Sequence, residues 1–305
     1  MTIFEFATGR KSEFEDKGYL LLEGAVTPAL LAQWQAIAAT LEQDALRRFH
    51  AGEPLAHACV VEDPVGPRLM RYDDVFTQAW EASLDLLACP AMLAIAHRLC
   101  GEQAVPMQMD ILYKYQHPHP VINWHQGAQH TRRYPYLNIG VYLDDAPAGD
   151  GCLRYVPGTQ HRLHDIQELS AEHGWAIPGV VEQPARAGDI LVQDMMILHG
   201  SQPKRSPGCR RTLYIEMRPL EGILDSGGQS REWAELRKQW MALVLERADS
   251  ARVPESWLER YPVGQVDSAE LKARLEALWQ PPLPAVWATF PVEHPDYPVP
   301  ADLRA

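Results

Sequence analysis

The chain has 305 residues, 46% of them hydrophobic, which is enough to bury a sizeable core. Its 28 Lys and Arg against 40 Asp and Glu give a formal net charge of −12, which argues against a nucleic-acid polymer or an anionic membrane as partner and leaves room for a local basic pocket. Five scattered cysteines without a CxxC pair point to reduced thiols and a cytoplasmic protein; the first residues lack a signal-peptide pattern, and no apolar stretch reaches bilayer length.

In chain order, residues 12–100 read as mostly helical. Thr27-Pro28 is an N-cap and first-turn pair, followed by Leu30, Leu31, Trp34, Ile37, Ala38 and Leu41 at helical spacing. Pro90 opens a second helix through Leu99, with Gly101 as its stop. From Val105 the pattern changes to strands. Residues 105–115 form one, and 134–144 alternate with a period of two: Leu137, Ile139, Val141 and Leu143 on one face, Tyr136, Asn138, Gly140 and Tyr142 on the other. Short strands are expected at 153–156, 180–183, 190–197 and 211–218, with turns at Gly149-Asp150-Gly151 and Ala187-Gly188-Asp189. Helices return after Pro219, with a stripe of Trp233, Leu236, Trp240, Leu243 and Val244 and a last helix capped by Asp267. The Pro-rich tail from Pro281 is expected to wrap the surface. These elements predict one domain over 1–305: a helical part 12–100, a β core 105–218 built as a sandwich or jelly roll, and a helical part 229–280.

The chemistry-bearing residues lie in the β core. Trp124-His125-Gln126-Gly127 is followed by His199 further along. Two histidines and a carboxylate form the face that holds non-haem Fe(II), and here the carboxylate position is glycine. The blocks are Gln108-Met-Asp-Ile-Leu-Tyr-Lys-Tyr115, Asn123-Trp-His-Gln126, Tyr142-Leu-Asp-Asp-Ala, Gly151-Cys-Leu-Arg-Tyr-Val-Pro-Gly-Thr-Gln-His161, Ala187-Gly-Asp189 and His199 through Arg210. In order and spacing, over residues 105–218, they resemble the phytanoyl-CoA dioxygenase family of Fe(II)- and 2-oxoglutarate-dependent oxygenases.

That resemblance implies a mainly β, cupin-like double-stranded β-helix with flanking helices, and Fe(II), 2-oxoglutarate and O2 as cofactors. It implies that His125 and His199 are metal ligands. Arg210 matches the arginine that grips the distal carboxylate of 2-oxoglutarate, a bidentate task suited to guanidinium, and Arg211 is open as a substitute. Ser201 and Lys114 match positions near that carboxylate, and Gln108 joins the cosubstrate set. Gly127 departs from the family pattern.

Three readings of Gly127 are open. Halogenases of the same chemistry carry His-x-Ala or His-x-Gly where hydroxylases carry His-x-Asp, so chloride can enter the vacated position and be transferred to an unactivated carbon. Alternatively, water or another side chain fills the gap and the enzyme hydroxylates; His130 and Asp194 are the nearby candidates, and strand alternation disfavours both. Third, the fold serves as a non-catalytic binding module. Halogenation of a small polar metabolite is the expectation. Arg132, Arg133 and Tyr134 suggest a substrate contact, the arginines to an anionic group. Tyr136 and Tyr142 can line a pocket for a ring or equally pack as core. The loop near 160–178 and the C-terminal helices are candidate lids. His117 and His119, alternating with prolines, suit a loop better than a second metal site.

Overall fold

The computed structural model describes residues 6–63, 65–101, 103–117, 121–127, 133–279 and 303. Helix α1 (Arg10–Lys17) leads into β1 (Tyr19–Leu22), α2 (Pro28–Ala51), β2 (Ala58–Asp63), β3 (Gly66–Tyr72), α3 (Trp80–Leu87) and α4 (Pro90–Ile95). A π-helical turn, Ala96–Cys100, extends α4 up to Gly101. Then come β4 (Ala104–Tyr115), β5 (Ile122–His125), β6 (Leu137–Tyr142), β7 (Leu153–Val156), α5 (Ile166–His173), β8 (Val181–Gln183), β9 (Ile190–Asp194), β10 (Leu198–Ser201) and β11 (Cys209–Pro219). Helices α6 (Leu220–Ser226), α7 (Arg231–Arg247), α8 (Glu255–Arg260) and α9 (Ser268–Ala277) follow.

The ladders between these strands are antiparallel and form two sheets. The large one has the order β1-β9-β6-β11-β4-β3-β2, the small one β5-β10-β7-β8. Hydrogen bonds cross between them from Lys114 to Ser201, Tyr155 to Gln193 and Gln193 to His199, so the sheets face each other as the two walls of a jelly roll.

The period-two pattern decides what each wall shows. On the large sheet Ile111, Tyr113, Leu137, Ile139, Val141, Leu213 and Ile215 point outward into one apolar cluster with Trp34 of α2 and Trp240 of α7, both fully buried. Burying side chains of this size contributes roughly 1.5–3 kcal/mol each. Their neighbours in sequence point into the space between the sheets. The outer face of the small sheet is covered likewise: Trp124, Val156 and Leu198, which alternate with His125, Tyr155 and His199, pack with Ile177 and Trp175. The loop expected as a lid therefore lies behind the small sheet. The C-terminal helices also buttress, with α7 packed on β4 and α9 on α7.

Thr27 caps α2 through its hydroxyl, Asp267 caps α9, and Gly101 ends the α4 segment at φ +106°, as the sequence predicts. The helical reading of 12–100 misses β1, β2 and β3. β1 is a four-residue apolar run, Tyr19-Leu-Leu-Leu22, too short for periodicity to separate from a helical turn. It pairs with β9, and the β2–β3 hairpin joins the sheet through β4, so the β core reaches beyond 105–218 at its N-terminal side. The strand expected at 190–197 ends at Asp194, whose carboxylate accepts the Met196 N–H at 2.8 Å and turns the chain. The turn sends β10, with His199, across to the small sheet. Among the described residues no single helix is long and apolar enough to cross a membrane. The tail from Pro281 falls outside the described residues, apart from position 303.

Candidate metal centre

His125 and His199 are direct partners in the β5–β10 ladder, and their ring centroids stand 4.0 Å apart. Each ring is fixed the same way. His125 Nδ1 lies 2.8 Å from the Asn123 carbonyl, and His199 Nδ1 lies 2.8 Å from the Ile197 carbonyl. A carbonyl only accepts, so each Nδ1 carries the proton and each Nε2 keeps a bare lone pair. Burial lowers the pKa of both imidazoles, and the neighbouring His125 adds to the lowering of His199. Two neutral rings offering Nε2, each oriented by a backbone carbonyl, form a donor pair suited to a divalent first-row metal.

Gly127 follows two residues after His125. Its N–H donates to the Met195 carbonyl at 2.6 Å. A Cβ there would sit 3.3 Å from that carbonyl oxygen and 3.5 Å from Met195 Cε, so a side chain can be added only if Met195 gives way slightly. Among the described residues no group of three His, Cys, Asp or Glu side chains is assembled to hold a metal, here or elsewhere. Asp194 does not fill the gap: it forms no group of three with the two histidines, and one of its carboxylate oxygens accepts the Met196 N–H. His130 lies outside the described residues, as do Arg132 and His119.

Two positions along β10, about 7 Å, Ser201 opens a second polar cluster. Lys114 Nζ donates to Ser201 Oγ at 2.8 Å, and both residues are fully buried. Arg210 is the register partner of Lys114 across β11 and β4 and is also buried. Its Nη1 donates to Thr212 Oγ1 and its Nη2 to the Gly151 carbonyl, both at 3.1 Å, while Nε has no partner. No carboxylate pairs with Arg210 among the described residues. Burial, and then Arg210, hold the Lys114 ammonium well below its ordinary pKa. Gly151, at φ +77°, permits this packing, because a Cβ would stand 2.7 Å from Lys114 Cε. Two buried cationic side chains and a hydroxyl make a cradle for a carboxylate. Its distance from the histidines suits the far end of an extended five-carbon diacid. Arg211 is no substitute for Arg210: it points outward and pairs with Asp144 at 2.8 Å.

Gln108 stands apart from that cradle, six residues and roughly 20 Å along β4 from Lys114. Its Nε2 donates to Asp110 and Glu216. It belongs to a polar row across four adjacent strands, Gln108, Glu216, Asn138 and Gln193, joined by register. Glu216 pairs with Arg218 at 3.1 Å, Arg218 stacks over the Tyr136 ring, and the buried Asn138 Oδ1 has no partner. Gln193 touches His199 itself, 2.8 Å between Nε2 atoms. Sequence reading missed this row except for Gln108. Its signal was present, as polar residues recurring every second position in otherwise apolar strands. Arg133 is exposed and 3.5 Å from Asp225. With Tyr134 it lines a surface cavity of about 440 Å³ beside Lys11, Arg98 and His161, and neither His125 nor His199 lines that cavity. The predicted substrate contact is thus not brought to the histidines by Arg133 or Tyr134.

Residues 14–212 match the family model described as phytanoyl-CoA dioxygenase. The chain is 25% identical to an L-proline trans-4-hydroxylase of Streptomyces griseoviridis over 166 residues, covering 44% of this chain and 62% of that enzyme, so it spans only about three fifths of this relative's length. Among solved structures it is similar to EvdMO1 (TM-score 0.59, 25% identity, 69% of this chain and 49% of that one). It shares the fold of the iron-bound EctD of S. alaskensis (TM-score 0.58, 19% identity, 71% of this chain and 78% of that one).

Proposed function

The chain belongs to the phytanoyl-CoA dioxygenase family, and on that premise we propose that it is an Fe(II)- and 2-oxoglutarate-dependent halogenase acting on a small polar metabolite. The observation that carries the reading is the donor set: two imidazoles with unprotonated Nε2 atoms, a glycine two residues after the first of them, and no acidic side chain assembled with them among the described residues. A ferrous ion held this way lacks one anionic partner, and a dissolved halide can supply it. The cofactors are those of the solved relatives: EctD was crystallised with iron, and also with 2-oxoglutarate and 5-hydroxyectoine.

His125 and His199 would hold the metal through Nε2, their Nδ1 protons locked on Asn123 and Ile197. Arg210, Lys114 and Ser201 would take the distal carboxylate of 2-oxoglutarate and so fix its keto-acid end towards the histidines. Bound Fe(II), 2-oxoglutarate and O2 together supply the oxidising power to remove a hydrogen atom from an unactivated carbon. The balanced outcome is R–H, chloride, a proton, 2-oxoglutarate and O2 giving R–Cl, succinate, CO2 and water. The row of Gln108, Glu216 and Asn138, with Arg218, would orient a polar substrate, and this row supports the substrate class. Apolar packing on the backs of both sheets keeps the walls rigid. Orientation of the substrate carbon decides whether halogen or hydroxyl is delivered.

The proline hydroxylase relative favours a second reading, hydroxylation with water in the open position. One experiment separates the two. The enzyme, loaded anaerobically with Fe(II) and 2-oxoglutarate, is titrated with chloride while the metal-to-cosubstrate charge-transfer band is followed; it is then exposed to O2 with a pool of polar metabolites. A chloride-dependent band shift and products with a chlorine isotope pattern support halogenation. An unmoved band and oxygen-bearing products support hydroxylation.

A further inference from the structure

Gln193 is buried in β9 within the run Ile190-Leu-Val-Gln193, where a carboxamide costs stability unless both its ends are bonded. Both are. The Tyr155 hydroxyl lies 2.5 Å from Oε1, and Nε2 lies 2.8 Å from His199 Nε2. The direction of these bonds follows from the ring. His199 Nδ1 holds its proton on the Ile197 carbonyl, so Nε2 is an acceptor and Gln193 is the donor. Tyr155 is immobilised in turn, stacked on Tyr19 with centroids 4.5 Å apart and planes 8° from parallel. Tyr155 is the register partner of His199 in the small sheet, and Tyr19 that of Gln193 in the large one. The amide is therefore clamped between the walls with its N–H aimed at the ligand atom of a candidate metal site.

A metal on His199 would take the lone pair to which Gln193 donates. The amide nitrogen, 2.8 Å from Nε2 on that same lone pair, would have to turn aside for the metal, and Tyr155, still bonded to the oxygen end, would keep the displaced N–H next to the site and without its acceptor. The backbone N–H of Gly127 is no rival donor, since Met195 accepts it at 2.6 Å. Resting on the halogenase reading above, we propose that Gln193 is a hydrogen-bond donor to the halide in the position opened by Gly127, and that Tyr155 is the positioning residue that sets its direction. A neutral amide suits this role: it attracts an anion and does not displace it from the metal as a carboxylate would.

The test uses the full chain loaded anaerobically with Fe(II) and 2-oxoglutarate, with sodium chloride as the probe and the charge-transfer band as the readout. Gln193→Leu should weaken chloride binding by about tenfold or more, the worth of one hydrogen bond to a charged group, with 2-oxoglutarate affinity changed less than about twofold. Tyr155→Phe should weaken chloride in the same direction by a smaller factor. Gln193→Glu should abolish the chloride response and tighten Fe(II) binding, because it offers the metal a carboxylate. Thermal unfolding of each metal-free variant checks folding, and if Gln193→Leu does not fold, Tyr155→Phe decides. Unchanged chloride affinity in the folded variants, with the parent response intact, overturns the role of Gln193 and leaves the halogenase reading standing. A parent enzyme blind to chloride overturns both.

Discussion

Lys114 and Arg210 face each other across β4 and β11 as register partners, two buried basic side chains, the first donating to the Ser201 hydroxyl and the second to the Gly151 carbonyl. Like charges held in a low-dielectric wall repel, and burial penalises each charged form. The depressed pKa of Lys114 expresses that cost. A dicarboxylate entering the cradle would reverse the sign of the local field and favour the ammonium form.

Replacing Lys114 by Met, a side chain of similar length, therefore separates folding from binding. Lys114→Met should stabilise the unliganded protein by about 1–2 kcal/mol, since a buried charge gives way to an apolar chain. The same variant should weaken 2-oxoglutarate about 10- to 100-fold. Thermal unfolding with and without 2-oxoglutarate measures both. Loss of stability together with unchanged ligand-induced stabilisation would remove Lys114 from the cradle.

Arg210 and Arg211 are adjacent in sequence and opposite in direction, because strand alternation sends one inward and the other to Asp144. Arg210→Ala should abolish measurable 2-oxoglutarate binding. Arg211→Ala should cost about 1 kcal/mol of stability at most, its ion pair being partly exposed, and leave the ligand affinity intact. Calorimetric titration of both variants decides, and comparable losses of affinity in the two would refute the assignment.

Gly127→Asp supplies the missing carboxylate. Its φ lies outside the left-handed region, and the steric demand is a small shift of Met195, whose carbonyl would stand 3.3 Å from the new Cβ. Fe(II) affinity should rise at least about tenfold, and the chloride response and any chlorinated product should disappear. Chlorination retained by a folded, iron-loaded Gly127→Asp variant would contradict the vacancy as the halide site.

The sequence made the histidines, Arg210, Lys114 and Ser201 legible because they sit in blocks of fixed order and spacing, and the strands carrying them alternate cleanly. β6 is the clearest case, with Leu137, Ile139 and Val141 outward and Asn138, Gly140 and Tyr142 inward. The arrival of β1 beside β9 was not legible: a four-residue strand has no periodicity of its own, and its partner lies far along the chain. Gln193 was hidden for a related reason. A polar residue inside Ile-Leu-Val reads as a local exception until the second sheet brings Tyr155 and His199 to its two ends.

Asp74 gives a pH-dependent prediction away from the candidate centre. It is the described non-glycine residue in the left-handed region, at φ +46°, and burial raises its pKa from 3.8 to about 6, with Arg237 pulling the other way and Asp73 adding to the rise. Its N–H donates to Asp110, whose carboxyl is also raised by burial and then by Asp74 itself. For an acid whose folded pKa exceeds the unfolded one, the folded state binds the proton more tightly. The stability this contributes is complete below about pH 4 and is lost as pH rises through about 6. Asparagine adopts the left-handed conformation readily and cannot ionise. Asp74→Asn should therefore gain on the parent by up to about 3 kcal/mol between roughly pH 4 and pH 8, the equivalent of two pKa units. Urea unfolding of both proteins at the two ends of that range measures the difference, and a stability gap that does not change with pH would show that Asp74 is not held protonated by its burial.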